Sequence, residues 1–215
     1  MNRRSEATSA NSQYSIVNSG LSGSGLRHVV FMRLYIGLVH FPVYNKNYQR
    51  IASAITTIDL HDIARLARTY AAKRFFVITP LDDQQRLAER IRSHWTNGYG
   101  ARYNRHRKEA IELVEIVPSL EQAIDAIRAM EGEAPLVMAT DASKQKHRAM
   151  SYEQARGIVR SERAVILIFG TAWGLDQSVM ERADYVLDPV LGRTDYNHLS
   201  VRTAAAIILD RVAGR

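Results

Sequence analysis

Residues 165–169, Val-Ile-Leu-Ile-Phe, form an unbroken apolar run rich in β-branched side chains, and they constrain the fold more than any other stretch. A run with no polar alternation predicts a parallel strand buried on both faces. It passes directly into Gly170, Thr171, Ala172, Trp173, Gly174 and Leu175. Two glycines so close to the end of a buried strand predict tight turning and close approach of the backbone to a ligand. In open α/β sheets ligands sit outside the carboxyl ends of the strands. A second short strand is expected at 185–187, followed by Pro189 and a loop with Gly192. A helix rich in Ala, Ile and Leu is expected over 198–213, with Asn197 or Ser200 as its cap.

The rest of the chain repeats this alternation. Strands are expected at 34–41, 74–79, 111–117 and 136–140, and helices at 58–71, 83–96, 120–130 and 152–160. In helix 58–71, Leu60, Ile63, Ala64, Ala67 and Tyr70 recur at helical spacing and define a buried face. Thr57 or Asp59 is the expected cap, and Asp62 and Arg65 stand three apart, where they can pair. In helix 83–96 the apolar set is Leu87, Ile91 and Trp95. In 120–130 it is Ala123, Ile127 and Met130. No internal repeat or second composition regime interrupts the pattern. The expected fold class is α/β, a single domain with a parallel sheet.

Residues 1–32 are set apart. The first 27 are rich in Ser, Asn and Gly and cannot bury enough apolar surface to order; they are expected to form a disordered N-terminal extension or to lie upstream of a start at Met32. No apolar run follows Arg3 and Arg4, so no secretory signal is expected. No run approaches the length of a membrane span. Cysteine is absent, which fits a reducing cytoplasm.

The net charge is +7. Three arginines and one glutamate in residues 1–32 leave +5 for the remainder. Such an excess favours a polyanion such as nucleic acid. The most basic stretch, 97–108, reads NGYGARYNRHRK and holds Arg102, Arg105, Arg107 and Lys108, two tyrosines and no acid. Read as a loop, it suits RNA, because rings stack on unpaired bases while cations meet phosphate. The alternative is an ordinary solvated loop. Lys144 and Lys146 belong to a second basic segment after strand 136–140. It reads as a flap over the site or as a solvated turn, and Arg68 adds to the basic surface.

Taken together, FGTAWGL followed by DPVLGRTDYNHLSVRTAAAIIL resembles the cofactor-binding end of the SPOUT, or alpha/beta-knot, family of S-adenosylmethionine-dependent RNA methyltransferases. It is most similar to a bacterial subgroup that carries NHLSVR at this place. The stretches LYIGLVHFPVYNKN and AITTIDLHDIARLARTY share the likeness, which covers about residues 33–213. The resemblance implies a C-terminal trefoil knot and a homodimer built on the knot region. It also implies methyl transfer to tRNA or rRNA in the cytoplasm. S-adenosyl-L-methionine would be held by Leu136, Thr140, Phe169, Gly170, Thr171, Trp173, Gly174, Leu175, Leu187, Asn197, His198, Leu199, Ser200 and Val201. Arg65 falls at the family's arginine position. Asp195 and His198 are the candidate proton acceptors, with Asp62 behind them.

Thr56 and Asp59 stand where asparagines are usual in ribose-methylating members. Base and ribose targets therefore both stay open, and a basic RNA-binding protein on the same fold that no longer methylates is the second reading. No Walker lysine motif or G-x-G-x-x-G follows the first strand, which disfavours a generic nucleotide-binding protein. No metal-ligand spacing occurs.

Overall fold

The computed structural model describes residues 32–215. The extension expected over 1–32 lies, save for Met32, outside the described residues.

Seven strands form one parallel sheet: β1 (Leu34–Val39), β4 (Arg74–Ile78), β5 (Val114–Val117), β6 (Leu136–Thr140), β7 (Ala149–Met150), β8 (Val165–Gly170) and β9 (Tyr185–Leu187). Their order across the sheet is β5-β4-β1-β8-β6-β9-β7. The run 165–169 is buried throughout, as expected, between β1 and β6. A two-stranded antiparallel hairpin, β2 (Val43–Tyr44) and β3 (Arg50–Ile51), stands outside the main sheet.

Helices cover both faces. On one face α1 (Thr57–Thr69), α2 (Asp82–Thr96), α4 (Arg105–Ile111), α6 (Tyr152–Val159) and α8 (Val201–Ala213) close over Leu34, Ile36, Leu38, Phe75, Val77, Leu167 and Phe169. On the other face α5 (Leu120–Glu131) and α7 (Gln177–Glu181) close over Tyr35, Phe76, Ile78, Ile166 and Ile168. The alternation of these two sets along each strand reflects the two-residue period of a strand buried on both sides.

Several expectations shift. The stretch 97–108 is not a loop: it contains α3 (Tyr99–Tyr103) and α4. Asn104 starts α4 by accepting from the Arg107 amide at 2.9 Å, so an asparagine that reads as loop punctuation acts as a cap. Ile111 closes α4, and β5 starts only at Val114. Helix α1 is capped by Thr56, whose hydroxyl accepts from the Asp59 amide at 3.1 Å. The last helix starts at Val201 because Ser200 caps it, accepting from the Thr203 amide at 3.3 Å. Leu87 and Met130 are exposed rather than buried on their helices. The hairpin, β7 and α7 were too short to leave a periodic signal.

Candidate functional site

Because the sheet is parallel, every strand ends at the same edge. There Thr140, Gly170 and Leu187 close three strands that are neighbours through β6. Beyond Gly170 the chain turns back on itself. The Gly174 amide donates to the Thr171 carbonyl at 2.9 Å, and Ala172 and Gly174 take positive φ of 52° and 102°. A Cβ on Gly170 would lie 2.7 Å from the Leu175 nitrogen and 3.0 Å from the Gly174 carbonyl carbon. Only glycine fits there without moving the main chain. Gly174 has open space at its Cβ position, so it is held by its backbone conformation instead.

The hairpin holds this turn from one side. Tyr44 donates to the Gly174 carbonyl at 3.0 Å, and Trp173 donates to the Tyr44 carbonyl at 2.9 Å. Arg50 reaches across with two bonds to Asp176, Nε to Oδ2 at 3.1 Å and Nη2 to Oδ1 at 2.9 Å. Asp176 also accepts from the Ser178 amide and hydroxyl and so begins α7. Burial pushes the Asp176 carboxyl up, but the bonds from Ser178 and Arg50 outweigh it and hold the group below the usual aspartate range. Sequence reasoning missed this clamp, since its two residues are 126 apart, one in a two-residue strand and one at a helix cap, with no periodic pattern.

On the other side the turn is tied to β1. The Thr171 hydroxyl donates to the Val39 carbonyl at 3.0 Å, so it accepts from the Ser53 hydroxyl 2.5 Å away. Ser53 in turn accepts from His40 Nδ1 at 3.0 Å. That chain fixes the proton of the imidazole on Nδ1 and leaves Nε2 as a buried acceptor without a partner. Burial lowers the His40 pKa to about 4, against the opposing pull of Asp59. The folded protein thus keeps His40 neutral, while the unfolded chain protonates it near 6.5. Stability is therefore lost as pH falls from about 6.5 towards 4, by up to about 3 kcal/mol at roughly 1.4 kcal/mol per pKa unit. Urea unfolding at pH 7 and pH 4.5 measures the loss. His40→Gln is expected to flatten this slope, and an unchanged slope would contradict the assignment.

Residues 188–200 form the remaining wall. Asn197 Nδ2 donates to the Ala142 carbonyl at 2.6 Å, pinning this segment to the chain after β6. Among the described residues, no backbone group from 189 to 199 takes part in a backbone–backbone hydrogen bond. The Tyr196 amide donates to the Thr194 hydroxyl at 3.4 Å, and most of the other main-chain groups face solvent or a ligand. Where the segment enters α8, Arg202 Nη1 donates to Asp59 Oδ1 at 2.9 Å, and its Nε lies 3.7 Å from Asp62. Asp59 also accepts from the Thr56 hydroxyl at 2.7 Å. The starts of α1 and α8 are thereby locked together.

The sequence-derived candidates divide accordingly. Thr140, Gly170, Thr171, Trp173, Gly174 and Asn197 through Val201 belong to this edge. Phe169, Leu175 and Leu187 are core residues immediately beneath it. Leu136 does not belong: it begins β6 beside Val165, about 13 Å from Thr140 at the rise of an extended strand. Asp195 and His198 are both exposed, and His198 meets Tyr196 edge-on at 5.3 Å. The Arg65 side chain is 64% exposed, with Asp62 3.9 Å away. Among the proposed RNA contacts, Arg68 and Arg105 meet Glu109, and Lys108 meets Glu112. Lys144 and Lys146 are exposed. No cluster of metal-ligating side chains occurs among the described residues.

The edge fits a polar-rimmed ligand such as S-adenosylmethionine: a glycine cradle that a Cβ would fill, and opposite it a strip of main chain without backbone–backbone hydrogen bonds. Comparison with known proteins points the same way. Residues 33–214 match the family model of SAM-dependent RNA methyltransferases. A tRNA (guanine-N(1)-)-methyltransferase of Oleidesulfovibrio alaskensis is 44% identical over 84% of this chain, which spans only 42% of that relative. An uncharacterized protein of Aquifex aeolicus is 37% identical over 85% of this chain and 89% of its own length. The SpoU methyltransferase AviRb of Streptomyces viridochromogenes, solved with AdoMet, superposes with a TM-score of 0.53 at 16% identity. That match covers 85% of this chain and 60% of that one. No helix among the described residues is long and apolar enough to cross a membrane. The matched family agrees with the activity class expected from the two loops, and the chain belongs to the SAM-dependent RNA methyltransferase family.

Proposed function

We propose that this chain methylates tRNA in the cytoplasm as a homodimer, with S-adenosylmethionine seated at the carboxyl edge of β8, β6 and β9. The observation that carries the reading is the turn at Gly170, where the main chain packs so closely on the strand end that no side chain fits. When bound, the cofactor supplies an electrophilic methyl group on a sulfonium. The chain's part is to hold and orient. Backbone groups at 170–174 and 189–199 bind the nucleoside portion, and the Arg202–Asp59 pair keeps the second wall in place. Asp195 and His198 lie on that wall, where a carboxylate or imidazole can take the proton from the nucleotide being methylated. Arg65 and the exposed Lys144 and Lys146 meet phosphate.

Exposed Trp173, Leu191, Tyr196 and Leu199 surround the edge at 62, 68, 72 and 43% of their full accessibility. So much apolar surface around a polar site supports a second subunit that closes it. The Asn197–Ala142 contact and the placement of β8 between β1 and β6 support a knotted threading of 188–200 beneath 141–148. The tRNA substrate is supported by the name of the Oleidesulfovibrio alaskensis relative.

The test is incubation with methyl-tritiated S-adenosylmethionine and separate tRNA and rRNA fractions. Label is expected in tRNA, and Asp195→Asn should lower it. Cofactor binding with no label in either fraction would favour the non-methylating RNA-binding reading.

A further inference from the structure

Helix α3 is short and nearly all surface, yet it is firmly seated. A Cβ on Gly100 would come 2.5 Å from Cε3 of Trp95, so the helix lies directly on that ring. Trp95 is in turn fixed by His61 and His94, edge-on at 5.4 and 5.1 Å, and by the Arg107 guanidinium 4.6 Å over its ring. On this anchored turn Tyr99 and Tyr103 stack on each other, with centroids 6.0 Å apart and ring planes 20° from parallel. Their exposures are 73 and 74%. Two large rings so far in water are not there for the core.

Charge selects the occupant. Arg68 and Arg105 share Glu109, and Lys108 pairs with Glu112, so these three cations are partly compensated. Arg102, between the two tyrosines in sequence, is exposed and has no acidic partner among the described residues. Arg107 is likewise free of a carboxylate and holds Trp95 instead. No acid occurs from 97 to 108. A rigid aromatic face beside uncompensated cations matches a flat apolar group attached to an anion, which describes a nucleotide whose base is unstacked. A base within a duplex has both faces covered by its neighbours and cannot use such a face.

We infer that Tyr99 and Tyr103 form a stacking platform for an unpaired base of the substrate RNA, so that this chain engages RNA through a loop or single-stranded segment. The inference rests on the RNA reading above and adds the class of RNA structure and the residues that select it.

The experiment compares fluorescence anisotropy of a labelled single-stranded oligoadenylate and of an RNA duplex of the same length. It uses the wild-type chain, Tyr99→Ala/Tyr103→Ala and Tyr99→Phe/Tyr103→Phe. The alanine pair is expected to weaken single-strand binding about 10- to 100-fold, at stacking values typical of one base. Duplex binding should change little, and the phenylalanine pair should bind like wild type. Equal losses on both RNAs, no loss, or a wild type that binds neither would overturn the platform. So would unchanged RNA affinity with a change of oligomeric mass, which would make the patch a protein contact. S-adenosylmethionine titration of the alanine pair, expected to be normal, keeps this result separate from the cofactor reading.

Discussion

Gly170→Ala is expected to weaken S-adenosylmethionine binding about 100-fold while leaving the sheet folded. The added methyl meets main-chain atoms of Gly174 and Leu175 at 3.0 and 2.7 Å, not the flexible end of a side chain. Overpacking of this kind costs about 1–3 kcal/mol, and relief requires the turn to lift off the strand. The turn is bonded to Tyr44 on one side and to Val39 on the other, so it cannot lift without disturbing the wall. Gly174→Ala provides the contrast. Nothing lies within 4 Å of its Cβ position, and only the φ of 102° opposes the change, at about 1–2 kcal/mol. Calorimetric titration of both variants should rank them in that order. Equal affinities for Gly170→Ala and wild type would place the cofactor elsewhere.

Arg50→Ala is expected to cost about 2 kcal/mol of stability and to weaken cofactor binding severalfold. Removing one partner of a buried ion pair typically costs about 3–5 kcal/mol. Here the Asp176 side chain is 3% exposed but that of Arg50 is 56% exposed, so solvent screens the pair and the lower figure applies. A loss of that size lowers Tm by about 4–8 °C for a chain of this length. Arg50→Lys should recover only part of it, since one ammonium cannot make both bonds. The acid dependence has a definite sign. The Asp176 carboxyl is held low in the folded state, so its contribution is present above the ordinary aspartate pKa. It disappears as pH falls through the lowered value. That window lies below the one assigned to His40. Thermal melts across pH 3–7 separate the two, and an Arg50→Ala variant with wild-type Tm would remove the clamp from the account.

The parts of this site legible in the sequence were those that burial writes into composition. A strand covered on both faces must read as Val-Ile-Leu-Ile-Phe, and a chain that doubles back on its end needs Gly170. The two loops in order then carried the family. What stayed hidden depends on partners far apart in the chain. Asp59 reads as a cap or as a replaced asparagine, but it is occupied by Arg202, 143 residues away. Leu136 shares the apolar character of Thr140's strand, yet it stands at the opposite end, and strand direction alone separates them. The stretch 97–108 reads as a basic loop because glycine and asparagine usually interrupt structure. Here Gly100 lets a helix sit on Trp95 and Asn104 caps the next. The clamp of Arg50 on Asp176 and the His40–Ser53–Thr171 chain join segments too short to show any period.

The most direct test of the central claim is to titrate isotope-labelled protein with S-adenosylhomocysteine, the demethylated product form of the cofactor, and follow the backbone amides by NMR. Shifts are expected to concentrate at residues 170–175 and 187–201, with the N-terminal ends of β1, β4 and β8 unmoved. Shifts centred away from that edge, or none at millimolar ligand, would contradict it.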